Sequence, residues 1–185
     1  MIILIGESAC GKSCVEKILH DKYGMNKVVS YTTRPPRENE VTGVDYNFIE
    51  MEDFIEMKDS KQFVEIGAYR GWFYGSTRDQ YKDETIAVLT PHGLRCMKKA
   101  YPDEHIFSVH INIPRKDRLI KMLEREPLKD DVEECCRRSQ NDCGQFDGID
   151  DEVSLVIDNS GYKKTSEELA DDIYAKYKEY RNEWF

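Results

Sequence analysis

Met1-Ile2-Ile3-Leu4-Ile5 runs straight into Gly6-Glu7-Ser8-Ala9-Cys10-Gly11-Lys12-Ser13, and this junction decides the fold. Five apolar residues in an unbroken run read as a strand buried on both faces, the pattern of a parallel sheet. The eight residues after it match G-x-x-x-x-G-K-[ST] at each fixed position. Glycines let such a loop curl until successive backbone N–H groups point inward, and the helix that follows adds its positive end. A helical pattern does follow, with Val15, Ile18 and Leu19 on one face and Gly24 at a C-cap position. A chance glycine-rich turn would lack these flanks. The loop implies a nucleoside triphosphate, with Lys12 reaching its β- and γ-phosphates and the Ser13 hydroxyl holding Mg²⁺. Gly6, Glu7, Ser8, Ala9, Cys10, Gly11, Lys12, Ser13 and Cys14 are the candidates around that ligand.

Outward from this loop the texture alternates. Residues 28–30 read as a second strand. Pro35, Pro36 and Gly43 then break the chain, residues 46–49 alternate as a strand, and residues 51–58 look helical. Residues 63–69 and 72–74 flank an Arg70-Gly71 turn like a hairpin. Strands at 85–89, 106–113 and 153–157 then alternate with helical stretches at 93–100, 116–124, 132–145 and 166–180. This rhythm predicts a parallel sheet covered on both faces, interrupted by a small β-rich insertion.

Composition narrows the function classes. The chain has 185 residues, suited to one α/β domain, and 39% of them are hydrophobic, enough for a packed core. The longest apolar run, residues 1–5, is far short of a membrane span, and no basic region precedes it as in a signal peptide. A formal net charge of −9 disfavours a long polyanion such as DNA or RNA. A small phosphate ligand held in a focused basic cleft is compatible with it. Six cysteines show no CxxC pair and no finger-like histidine spacing, so reduced thiols in the cytoplasm are expected rather than zinc or a disulfide framework.

The acceptor side is written in residues 30–48: Ser30-Tyr31-Thr32-Thr33-Arg34-Pro35-Pro36-Arg37, then Gly43-Val44-Asp45-Tyr46-Asn47-Phe48. Arg34 and Arg37 lie close together on a proline-stiffened loop, able to fork onto one phosphate. An arbitrary Arg-x-x-Arg is more often a solvated turn. Here the wider pattern, S-x-T-T-R-x-P-R followed by G-x-D-Y-x-F, resembles the guanylate kinase family. Phe63-Val64-Glu65 followed by Tyr74-Gly75-Ser76 resembles the same family's F-[IV]-E and Y-G-[ST] elements.

The resemblance implies a three-layer α/β fold: a P-loop parallel-sheet core (1–30, 81–123 and 139–185), a β-rich acceptor-binding subdomain (31–80) and a helical lid (124–138). It implies Mg²⁺-dependent transfer of the ATP γ-phosphate to GMP or dGMP in purine nucleotide metabolism, by a cytoplasmic monomer or homodimer. Arg34, Arg37, Tyr46 and Tyr74 would bind the acceptor phosphate, Ser30, Glu65 and Ser76 would read the guanine edge, and Gly75 would also belong to the acceptor site. Glu65 fits that role chemically, because guanine N1–H and N2–H₂ are a double donor that one carboxylate accepts, and adenine has no such face. Arg125 and Arg137, with Arg138 one position on, would bring lid charge to the transferring phosphate, and Asn159 would contact the adenine side. The sequence departs from the family after residue 87. Val88-Leu89-Thr90-Pro91-His92-Gly93 stands where D-[IV]-D-x-Q-G is usual, leaving Thr90 as the polar candidate there. The departure keeps two further readings open, a kinase for another purine monophosphate and a weakened nucleotide-binding module.

Overall fold

In a computed structural model, residues 1–37, 40–69, 71–102, 105–125 and 130–183 are described. The central sheet has the order β2-β7-β1-β8-β9, every pair parallel. Its strands are β1 (Ile2–Ile5), β2 (Asn26–Lys27), β7 (Thr85–Val88), β8 (Phe107–Asn112) and β9 (Leu155–Asp158). A second sheet, β4-β3-β6-β5, is built from β3 (Tyr31–Thr32), β4 (Asn47–Phe48), β5 (Phe63–Tyr69) and β6 (Trp72–Thr77). The helices are α1 (Lys12–Tyr23), α2 (Met51–Asp59), α3 (Pro91–Ala100), α4 (Arg115–Arg125), α5 (Asp130–Asp142) and α6 (Ser166–Asn182). No helix among the described residues is long and apolar enough to cross a membrane.

The three layers follow from the two faces of β1. Ile2, Ile3, Leu4 and Ile5 are all fully buried, but a strand's side chains alternate. Ile2 and Leu4 join Val15 and Leu19 of α1 and Ala170, Ile173 and Tyr177 of α6. Ile3 and Ile5 join Val28, Leu94 and Met97 of α3, and Ile149. Each fully buried aliphatic side chain contributes roughly 1.5–3 kcal/mol, so β1 alone anchors both faces. Because β7 and β8 lie on opposite sides of β1, the loop leaving β1 opens at the crevice where the sheet's winding reverses.

Several boundaries differ from the sequence reading. The strand expected at 28–30 lies earlier, at Asn26–Lys27, with Val28 N–H still donating to the Ile86 carbonyl at 3.0 Å. Residues 31–32 cross into the small sheet instead. Helix α3 begins at Pro91, because Thr90 Oγ1 caps it by accepting Gly93 N–H at 3.1 Å and proline is tolerated in the first turn. Helix α5 runs from 130 to 142 rather than 132 to 145, and β9 is displaced by a residue or two from 153–157. The β5–β6 hairpin is as expected, with Gly71 at φ 78°, while Arg70 lies outside the described residues. The small sheet has its own aromatic centre, where Phe54 of α2 stacks on Phe63 at 4.5 Å and on Phe73 at 5.6 Å.

Glu16, on α1, is only 7% exposed, and burial raises its pKa to about 7 despite Lys27 at 3.7 Å. A carboxyl raised in the folded state stabilises the fold fully below its unfolded pKa and loses that contribution as pH rises through the folded value. Between pH 4.5 and pH 8 this group alone should cost about 3 kcal/mol. Glu16→Gln is therefore expected to melt several degrees above the parent at pH 8 and level with it at pH 5. Thermal unfolding at the two pH values checks this, and an equal shift at both would contradict it.

Candidate active site

Close approach shapes the loop after β1. A Cβ on Gly6 would lie 2.6 Å from Cys10 Sγ and 2.8 Å from the Ile111 carbonyl oxygen, so only glycine fits. Gly11, at φ 96°, starts α1 from a left-handed conformation. Ala9 also sits at φ 67°, which costs a non-glycine residue about 1–2 kcal/mol. Its carbonyl accepts the Tyr162 hydroxyl at 3.0 Å, which helps hold that conformation. Lys12 Nζ donates to the Gly6 and Glu7 carbonyls at 2.6 and 2.9 Å, curling over the loop, with Cys10 Sγ at 3.4 Å. Ser13 and Cys14 are exposed in the first turn of α1, while Cys10 is buried.

Glu7 and Ser8 are gripped from behind the loop. Ser8 N–H donates to Asp142 Oδ2 at 2.8 Å, and the Ser8 hydroxyl donates to Oδ1 at 3.3 Å. Arg118 Nη2 donates to Glu7 Oε1 at 3.2 Å. His110, buried on β8, places Nδ1 2.6 Å from Asp150 Oδ1 and Nε2 3.5 Å from Glu7 Oε2. Burial disfavours the imidazolium, but Glu7 and Asp150 outweigh it and raise the His110 pKa. Burial pushes Glu7 upward, yet His110 and Arg118 bring its carboxyl below the ordinary value.

On the acceptor side, Arg34 is buried with its guanidinium 5.4 Å from the Tyr46 ring centroid and 5.5 Å from that of Phe48. Nη1 donates to the Pro35 carbonyl at 2.8 Å and Nη2 to Glu40 Oε1 at 2.9 Å. Arg37 is exposed, and its N–H donates to Glu40 Oε2 at 2.7 Å, so one carboxylate sets both arginines. Tyr46 and Tyr74 meet edge to face at 5.9 Å beside them. Ser30 is half-buried at the start of this segment, its carbonyl accepting Asn47 N–H at 2.9 Å.

Glu65 is 8% exposed, opposite fully buried Ser76. A bulge between Phe63 and Glu65 shifts the register of the hairpin, a device that re-aims a side chain. Gly75 makes room for it, since a Cβ there would meet Phe63 at 2.9 Å and the Glu65 carbonyl at 3.0 Å. The Ser76 hydroxyl donates to Glu65 Oε1 at 2.8 Å, and Tyr81 OH lies 2.7 Å from Ser76 Oγ. With the Ser76 proton given to Glu65, Tyr81 must donate to Ser76. Burial raises the Glu65 pKa, partly opposed by the hydrogen bonds from Ser76.

The remaining candidates are engaged locally. Thr90 caps α3, and Val88 packs against the apolar face that holds Ile2 and Leu4. The Asn159 side chain is spent on both sides of Lys164, accepting its N–H at 2.8 Å and donating to its carbonyl at 3.1 Å. Arg137 and Arg138 both pair with Glu134 on α5. Arg125 closes α4, but its side chain lies outside the described residues, as do residues 126–129.

With this geometry in place, comparison with known proteins is decisive. The guanylate kinase family pattern matches residues 1–176. The chain belongs to the guanylate kinase family. A guanylate kinase of Legionella pneumophila (strain Lens) is 31% identical over 184 residues, covering 95% of this chain and 85% of that protein. A guanylate kinase of Prochlorococcus marinus is 31% identical over 130 residues, covering 66% of this chain and 70% of that one. The crystal structure of guanylate kinase from Anaplasma phagocytophilum shares the fold with a TM-score of 0.71 at 23% identity, covering 96% of this chain and 84% of that chain. Guanylate kinases are ATP-dependent nucleoside monophosphate kinases, and this chain carries the family's phosphate loop and its second, small sheet. Glu40, Tyr81, Arg118 and Asp142 were not singled out by the sequence. Glu40 and Tyr81 had local signals, three residues beyond Arg37 and five beyond Ser76, whereas Arg118 reaches Glu7 across 111 residues and Asp142 reaches Ser8 across 134.

Proposed function

We propose that this guanylate kinase family member transfers the γ-phosphate of ATP to GMP or dGMP, giving GDP or dGDP. The observation that carries the acceptor assignment is Glu65, a buried carboxylate whose Oε1 is held by Ser76. Guanine N1–H and N2–H₂ supply the donors such a carboxylate lacks. Adenine would leave it unpaired, a mismatch that costs several kcal/mol.

Arg34 and Arg37 clamp the acceptor phosphate with Tyr46 and Tyr74, while Lys12 and the 6–14 loop hold the donor phosphates. The acceptor oxygen is already anionic, so no protein nucleophile is needed and catalysis rests on alignment and neutralised charge. Arg137 and Arg125, in the lid taken as 124–138, bring positive charge to the γ-phosphate on closure, and closure excludes water. Mg²⁺ suits Ser13, exposed in the first turn of α1, because that ion keeps most of its ligands as water and phosphate oxygens. It would neutralise phosphate charge there. The enzyme is proposed to work in the cytoplasm as a monomer or homodimer, without a nucleic-acid ligand.

One observation favours a second reading, a kinase for another purine monophosphate. At the end of β7, Val88 turns into the core and Thr90 Oγ1 caps α3, so no acid faces the acceptor from that strand. An ADP-release assay with ATP, Mg²⁺ and each of GMP, dGMP, AMP, CMP and UMP separates the two. Turnover confined to GMP and dGMP is expected. Turnover with AMP equal to that with GMP would refute the role given to Glu65.

A further inference from the structure

The backbone of Ser8 is held on both of its polar groups by residues far away in sequence. Its N–H donates to Asp142 Oδ2 at 2.8 Å, and its carbonyl accepts Arg118 Nη1 at 3.4 Å. The same Arg118 nitrogen donates to Asp142 Oδ2 at 3.3 Å, which closes a ring of three partners around the Ser8 backbone and fixes the two successive peptide planes that meet there. Arg118 is only 4% exposed and is anchored further by Nε donating to the Ile113 carbonyl at 2.9 Å and Nη2 donating to Glu7 Oε1 at 3.2 Å. Behind Glu7 stands His110, itself paired with Asp150. The loop's first two variable positions are thus fixed before the chain turns through strained Ala9 toward Lys12.

The two clamping residues lie on different helices. Arg118 is on α4 and Asp142 is the last residue of α5, and residues 126–129 connect those helices. Arg115 of α4 also donates from Nε to Ser139 Oγ of α5 at 2.7 Å, tying the helices together at the same level. A phosphate cradle made of backbone N–H groups works only if its peptide planes are held in place before the ligand arrives. We propose that Asp142 and Arg118 are positioning residues for the donor phosphates, orienting the two peptide planes that flank Ser8 and coupling the phosphate loop to helices α4 and α5. This inference rests on the ATP-dependent reading of the site. Neither side chain is assigned contact with the nucleotide. They act through residues 7 and 8.

The prediction divides donor from acceptor. Asp142→Ala removes every bond to Ser8 from α5, and the dissociation constant for MgATP, measured by calorimetry on the full chain, is expected to rise 10- to 50-fold. KM for GMP is expected to stay within twofold of the parent. Asp142→Asn retains an oxygen for the Ser8 N–H but loses the charge facing Arg118, so it should recover most of the affinity, with a rise of about threefold to tenfold. Arg118→Lys keeps the charge without the fork that spans Glu7, Ser8 and Asp142, and should resemble Asp142→Asn. Should Asp142→Ala not fold, Asp142→Asn and Arg118→Lys carry the test. Folded variants that bind MgATP within twofold of the parent, or that weaken GMP as much as ATP, would overturn the clamp. A parent chain that binds no MgATP would overturn the kinase reading itself, and the clamp with it.

Discussion

Glu65→Gln is expected to lower kcat/KM for GMP about a thousandfold while leaving the fold at least as stable as the parent. The carboxylate has Oε1 engaged by Ser76 and sits almost wholly out of water. An amide there keeps its oxygen for the Ser76 hydroxyl and turns its NH₂ toward the ligand. Guanine N1–H and N2–H₂ would then meet a donor instead of an acceptor, two mismatches in a dry pocket at roughly 1.5–3 kcal/mol each for hydrogen bonds to a charged group. Stability moves the other way. Burial raises the Glu65 pKa, so the ionised form destabilises the fold progressively as pH rises through the folded value, and glutamine removes that penalty. Steady-state kinetics with GMP, paired with thermal unfolding at pH 8, checks both halves. A variant that keeps GMP turnover within tenfold would remove Glu65 from the site.

Gly6→Ala is expected to destabilise the protein by roughly 3 kcal/mol and to abolish measurable ATP binding. The new methyl would lie 2.6 Å from Cys10 Sγ and 2.8 Å from the Ile111 carbonyl oxygen, and the second neighbour cannot swing away because β8 pairs with strands on both sides. Relief must come from the loop, which unseats Lys12 from the Gly6 and Glu7 carbonyls. For a chain of this size the melting temperature should fall by about 6–12 °C. Adding Cys10→Ala removes the sulfur contact but not the carbonyl, so the double variant should recover only part of the loss. A Gly6→Ala protein that melts within 1 °C of the parent and binds ATP would show that the loop is not built this tightly.

Residues close together in sequence made most of this legible in advance. The run 2–5 announces a strand covered on both faces, and Gly6 to Ser13 announces the loop, because each is a short pattern with one physical solution. The β5–β6 hairpin was readable for the same reason. Features set by distant pairing were not. Strand β2 lies at Asn26–Lys27 because that is where the chain meets the edge of β7, and no local propensity distinguishes it from 28–30. The grip of Asp142 on Ser8 exists only after the sheet has brought remote segments together, and the relay from Tyr81 through Ser76 to Glu65 only after the bulged hairpin has set its register. Asn159 shows the opposite limit. Its position after the last strand suggested a ligand contact, but its amide braces the turn to Lys164 on both sides.

The most direct test of the central claim follows the phosphorus atom itself. ATP labelled at the γ-phosphate is mixed with GMP, Mg²⁺ and the full chain, and the products are separated. Label recovered in GDP, in step with ADP formation and absent without GMP, is the predicted result. Label appearing only as inorganic phosphate, or remaining in ATP with folded protein, would contradict the proposed phosphoryl transfer to GMP.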